Sequence, residues 1–231
     1  MKFTRKQQPL YFDYKINKCT LECVSEFKDL GVFVDSKLTF NVHINTVVSK
    51  ANKLLGFIYR STKYFSNTRC MIILFVSIVR PVVEYCSVVW SPSYTTHINR
   101  IEKILSKFIR TLCFKCGIEY SSLYYDTLLS YFGLPRLSRR RDYRDIIFLF
   151  KSLNQLFNCP ELLDLFQLHT PSVHNLRRIP FLHIDYHRTN YGIHTALARL
   201  SNLANCMQLD GDAFSQGLNA FKHSLMNELF R

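Results

Sequence analysis

Glycine and proline are scarce in this sequence, seven of each in 231 residues. Folds built only of strands need many tight turns, and turns draw on those two residues, so composition leans helical. Acidic residues are also few, 17 against 30 Lys and Arg, which leaves a formal net charge of +13. Long apolar runs are missing. The longest, Met71 to Val79, is closed by Arg80, Pro81 and Glu84, whereas a spanning helix needs about 20 apolar residues. The opening residues, MKFTRKQQPLYF, carry charge but no apolar segment of the secretory kind. The eight cysteines form no tight framework. These absences point to an intracellular protein, nuclear or cytoplasmic, with reduced thiols and no membrane partner.

Signature loops of common enzymes are lacking too. There is no Gly-rich phosphate loop, no G-x-S-x-G turn and no H-E-x-x-H helix. Cys113 and Cys116 make one CxxC with no second pair, half of a four-ligand zinc site. Cys19 and Cys23 read as ordinary structural cysteines. Asp210-Gly211-Asp212 reads as a turn rather than a metal site. No metal and no cofactor is assigned to the chain.

A hydrophobic share of 48% is present, enough for a packed interior. The excess charge is concentrated. Residues Ser36 to Lys115 hold 12 basic and only 2 acidic residues, whereas Cys116 to Arg231 hold 12 and 10. A concentrated positive field suggests a polyanionic partner, and a solubilising surface is the plain alternative.

The periodicity changes along the chain. Leu10, Phe12 and Tyr14 alternate with Tyr11, Asp13 and Lys15, Asn17-Lys18 offers a turn, and Thr20 to Val24 returns. Phe27 to Asp35 reads as a third, more buried strand with Gly31 inside it, marking a bulge or a close backbone approach. A β-branched residue is expected to be poorly tolerated at Gly31. From Ile44 the period becomes helical. Ile44, Val47, Val48, Ala51, Leu54, Leu55 and Ile58 fill an arc of about 120°. Lys50, Lys53 and Arg60 lie opposite, with Phe57 among them. Asn67 is placed to cap the next helix, which Pro81 should kink or end. A further segment runs from Val82 to Trp90. Thr95 or Thr96 is placed to cap a strong helix ending at Cys113, with Ile98, Ile101, Leu105, Phe108 and Leu112 on one face. Arg100, Lys103, Lys107 and Arg110 form a basic stripe beside that face, within about 80° of arc. Such a stripe serves either as a solvated face or as a nucleic-acid contact. Helices are expected over Ser122 to Tyr131 and Leu137 to Phe157, split by Gly133-Leu134-Pro135. Arg139, Arg140 and Arg141 open the second of these, for a phosphate contact or for pairing with Asp142, Asp145 or the acids of a neighbouring domain. His187 to Gly192 reads as a loop, and a short helix closes the chain.

Several segments, taken in order, resemble one known family. They are FKDLGVFVDSKLTF (Phe27 to Phe40) with His43-Ile44, KANKLLGFI (Lys50 to Ile58), VRPVVEYCSVVWSP (Val79 to Pro92), Ile98 to Arg110, and YHRTNYG (Tyr186 to Gly192). Together they are similar to the C-terminal part of the reverse transcriptase of jockey-like non-LTR retrotransposons. The resemblance implies three parts: residues 1–35 as the end of the palm with a primer-grip-like β-element, 36–116 as a thumb-like helical domain, and 117–231 as a C-terminal helical region. Phe27, Leu30 and Gly31 then match the primer grip. Lys50, Lys53, Arg60, Arg100, Lys103, Lys107 and Arg110 become the residues that hold an RNA–DNA primer–template duplex. The family's catalytic Tyr-x-Asp-Asp box has no match here, so the resemblance implies a fragment that grips nucleic acid and is inactive as a polymerase alone. The Mg²⁺ ions and the palm and endonuclease belong to the intact polyprotein. The alternative is a host-coopted or decayed helical nucleic-acid-binding module with no polymerase role. The fold expected either way is mainly α, with a small N-terminal antiparallel β-element ahead of a helical bundle and a helical tail.

Overall fold

The computed structural model describes residues 1–5, 12–169, 180–209 and 211–230, with the backbone alone at Asn190. The chain is mainly α, with a small antiparallel β-element near the N-terminus. Contacts group it into two units, Met1–Val83 and Glu84–Arg231. This grouping differs from the three parts 1–35, 36–116 and 117–231, because the second hairpin packs on the first long helix and the helix at 95–116 packs on the tail.

In the first unit, β1 (Lys15–Ile16) pairs with β2 (Cys19–Thr20), and β3 (Glu26–Asp29) pairs with β4 (Val32–Asp35). Both pairs are closed by two-residue turns with positive φ at each central residue, Asn17 and Lys18 in one and Leu30 and Gly31 in the other. That turn matches the right-handed twist of the strands it joins. The first turn falls where Asn17-Lys18 was expected. Leu10 and Tyr11 of the alternating run lie outside the described residues. The stretch Phe27 to Asp35 is not one buried strand. It folds back at Leu30-Gly31, β3 is exposed along its length, and in β4 Val32 is buried. Leucine is not a turn residue by chemistry, which is why the reversal is hard to read from the sequence.

Gly31 therefore sits at a turn, with φ 89°, and its role is conformational rather than a mid-strand bulge. An L side chain is strained at that φ, and a β-branched one most of all. Gly31→Val should lower the stability of the chain by about 1–2 kcal/mol. The shift of the urea midpoint checks this; an unchanged midpoint would mean that the turn relaxes at no cost.

Asp35 organises the entry to the first long helix. Its carboxylate accepts from the amides of Lys37 (3.0 Å), Thr39 (2.9 Å) and Phe40 (2.8 Å) and from the Thr39 hydroxyl (3.1 Å). Burial alone would raise this carboxyl, but the bonds from Thr39 and Phe40 outweigh it and hold it below the usual carboxylate range. Those bonds also stabilise Leu38 and Phe40 in the left-handed region.

Helix α1 (Asn41–Ser61) buries Ile44, Val47, Ala51, Leu55 and Ile58, the face that the periodicity marks. It packs on β4 and on the π turn described next. The Phe33 amide donates to His43 Nδ1 (3.3 Å), and burial pushes the His43 imidazole down, which keeps that nitrogen an acceptor. Asn67 caps α2 (Thr68–Leu74) through the Arg69 amide, as expected. The helix then widens into a π turn, Phe75–Val79, and continues as α3 (Arg80–Glu84). It neither stops at Pro81 nor breaks there. Proline cannot donate to the carbonyl four residues back, and the π turn just ahead of it shifts the ladder to i→i−5.

In the second unit, α4 (Ser87–Trp90) follows a reversal at Cys86, whose φ is 53°. Trp90 Nε1 donates to the Tyr85 carbonyl (2.7 Å) and its ring is buried. Helix α5 spans Thr95–Cys116. Its N-cap is Tyr94, with no side-chain bond, so neither Thr95 nor Thr96 caps it; both lie in the first turn. It also runs three residues past Cys113. Gly117 ends it at φ 67°, with Ile118 N donating to Cys113 O (2.9 Å), a Schellman closure. Helix α6 (Tyr125–Phe132), preceded by a single 3₁₀ turn, ends the same way at Gly133. Helix α7 (Leu137–Leu153) stops before Phe157 and is touched by α4, α5 and the short α8 (Pro160–Asp164).

The tail is more helical than the weakening pattern suggests. After α9 (Asn190–Ile193), which begins inside the stretch expected as loop, come α10 (Ala196–Cys206), α11 (Gly211–Ser215) and α12 (Leu218–Leu229). Both α10 and α12 pack on α7. Phe150, Phe214 and Phe221 stack there, with Phe150 and Phe221 centroids 4.3 Å apart. The turn expected at Asp210-Gly211-Asp212 falls partly outside the described residues, and Gly211 and Asp212 open α11.

Candidate nucleic-acid interface

The two carboxylates of the basic stretch, Glu84 and Glu102, are both taken inward. Glu84 is 1% exposed and accepts from Arg140, and from Arg144 Nε at 2.8 Å. Burial pushes its carboxyl up, and the hydrogen bonds and charges of Arg140 and Arg144 overcome that and leave it below its ordinary value. Glu102 is half-buried, with the Leu137 amide at 3.1 Å and the Tyr125 hydroxyl at 3.4 Å. Burial holds the Glu102 carboxyl above its ordinary value. Residues 36–115 therefore present cations outward and no exposed carboxylate.

Those internal partners assign the arginine run that opens α7. Arg140 pairs with Glu84, and Arg139 donates to the Leu229 carbonyl (2.8 Å). Arg141 is buried. Asp145 pairs with Arg199 (2.8 Å), which also donates to the Val88 carbonyl (2.6 Å). For Arg140 the internal reading holds, with Glu84 as the partner that spacing does not reveal. Arg136 and Asp126 form a bidentate pair at 2.7 and 2.9 Å nearer the surface.

Arg100, Lys103, Lys107 and Arg110 are all exposed on α5, and Ile101, Ile104, Leu105, Phe108, Ile109 and Leu112 are buried on its other side. The four cations span about 15 Å of helix axis. On α1, in the other unit, Lys50, Lys53 and Arg60 are exposed as well. That helix has no Asp or Glu, and Phe57 lies half-exposed within the same arc. No family model matches this chain, and no curated protein and no solved structure does.

Phe27 and Leu30 are exposed on the β3–β4 hairpin, Leu30 at its tip with 84% of its surface open. Gly31 is exposed beside it. An apolar side chain held outward in a left-handed turn is a costly arrangement of the kind that gathers at contact sites. Among the described residues no three His, Cys, Asp or Glu side chains converge to hold a metal ion. Cys113 is buried, and burial first, then Cys116, pushes its thiol up. No helix among the described residues is long and apolar enough to cross a membrane.

Sequence reasoning missed two residues at the C-terminal end of α5, beyond the four-cation stripe. Phe114 is 86% exposed and one turn beyond Arg110, within the same arc. It escaped notice because the helix was expected to end at Cys113. Tyr120 lies past the helix, and its ring sits under the Arg110 guanidinium, 4.8 Å from centroid to carbon. No local pattern signals that contact.

Proposed function

We propose that this chain grips the sugar–phosphate backbone of a nucleic-acid duplex, in the manner of a polymerase thumb, as part of a retrotransposon reverse transcriptase. The supporting observation is the outer face of α5: four aligned cations with the helix's sole carboxylate turned inward. Backbone contacts need positive charge at regular spacing and no reading of base edges. The segments resembling the jockey-like reverse transcriptases supply the context of a primer–template, and the exposed Leu30-Gly31 tip is the corresponding primer-grip element.

The test is binding of the 231-residue chain to RNA–DNA hybrids of different sequence, followed by anisotropy over a range of salt. The expected result is one affinity for all sequences and a steep loss of affinity with salt. No binding at low salt, or a strong preference for one sequence, would overturn the reading.

A further inference from the structure

The C-terminal end of α5 differs from the rest of its basic face. Phe114 stands almost fully in water, among cations rather than beside the apolar side of the helix. One turn back, Arg110 is held in place. Its guanidinium lies over the Tyr120 ring, and the Tyr120 hydroxyl is 2.8 Å from the Ser106 hydroxyl. A fixed arginine and an exposed ring thus sit about 6 Å apart on one line of the helix.

We infer that this end of α5 is a nucleotide-stacking site, with Phe114 packing against an unpaired base and Arg110 taking the adjoining phosphate. The inference rests on the reading of α5 as a nucleic-acid-binding face and adds the kind of strand that its end receives. An apolar protein surface is a poor occupant, because covering Phe114 would also strip water from Lys107 and Arg110. A nucleotide offers what both groups need, a π-face for the ring and an anion for the guanidinium. The base must be unpaired, because a duplex keeps its base faces inside the stack. Arg110 loses little freedom on binding, since Tyr120 already orients it.

The experiment compares Phe114→Ala with the parent chain on two labelled probes. One is an unstructured single-stranded RNA of about ten nucleotides; the other is a blunt RNA–DNA hybrid. The ring is exposed, so the variant should fold, and circular dichroism checks this. Affinity for the single strand should fall about tenfold, within the range of about 5- to 150-fold that loss of one stacked base allows. The salt slope and the affinity for the blunt hybrid should not change. Phe114→Trp should keep single-strand affinity, and its added indole should be quenched on binding. The chain's one tryptophan, Trp90, is buried, so the parent serves as the blank. An unchanged single-strand affinity in Phe114→Ala, an equal loss on both probes, or an unquenched indole would each overturn the stacking site. The duplex-gripping reading would survive those outcomes. That reading is tested separately, by whether the parent binds the hybrid and whether it does so without regard to sequence.

Discussion

Replacing Arg100, Lys103, Lys107 and Arg110 together with Gln should, if the stripe grips a hybrid duplex as proposed, flatten the salt dependence of binding by up to about 3–4 units in log K against log salt. Each cation that neutralises a phosphate on a duplex releases condensed counterions and contributes a slope of about −0.9. Four contacts make a slope of about −3.6, so a rise from about 50 to 200 mM salt should weaken the parent about 150-fold more than the variant. The loss of affinity should be alike for every sequence, since backbone contacts carry no base information. Gln is a good helix former, and the four positions are exposed, so α5 and its buried face should persist. Circular dichroism must show that before affinities are compared. A variant that keeps both affinity and slope would make the stripe a solvated face. It would leave the duplex-gripping reading without the observation that supports it.

Glu84→Gln should lower the stability of the chain by about 3 kcal/mol, at the low end of the range for breaking a buried ion pair. The carboxylate is 1% exposed, and removing its charge leaves Arg140 and Arg144 facing a neutral amide. Arg144 is nearly half-exposed, so water screens its share and keeps the cost from the upper end. In a chain of this size the melting temperature should fall by about 6–12 °C.

The pH dependence has a definite sign. In the folded chain Glu84 is held below its ordinary value of 4.5. Its contribution is therefore present above about 4.5 and is lost as pH falls through the lower, folded value. The deficit of Glu84→Gln should stay constant at higher pH and shrink below about pH 4.5. Asp145 runs the other way. Burial pushes its carboxyl up from 3.8 to about 6, against the pull of Arg199. Its contribution is present below its unfolded value and lost as pH rises through about 6. That change occurs equally in parent and variant, so it should not enter the difference. Thermal melts from pH 3 to 8 test both statements. A deficit that persists undiminished in acid would mean that Arg140 and Arg144 do not stabilise the Glu84 charge.

Much of the fold was legible in local patterns. The apolar arcs of α1 and α5, the Asn67 cap, the Asn17-Lys18 turn and the Gly133 break all depend on neighbours within about four residues, and such signals survive in a linear reading. The basic stripes were legible for the same reason: a helix turns residues three and four apart to one side. Reading failed where a local rule was overridden. Leu30 closes a hairpin that its chemistry does not favour. Pro81 is absorbed by a π turn. In the tail, α10 and α12 gain their helical state from packing on Phe150 and its neighbours more than from pattern.

By itself the sequence determined that the chain is mainly helical, that its excess charge lies in residues 36–115, and which residues share a helix face. Only the tertiary structure decided which charged groups are turned inward and which to solvent. Glu84 and Glu102 are ordinary acids in the linear string, with partners that lie 23 to 60 residues away in α6 and α7. Burial makes an unpaired carboxylate costly, so the fold must supply arginines or backbone amides to each of them. Arg140 and Arg144 meet that need and are spent inside. On α5 the one acid of the helix faces inward, while Arg100, Lys103, Lys107 and Arg110 are exposed. The difference between a structural arginine and one turned to solvent is a long-range fact, and no local spacing encodes it.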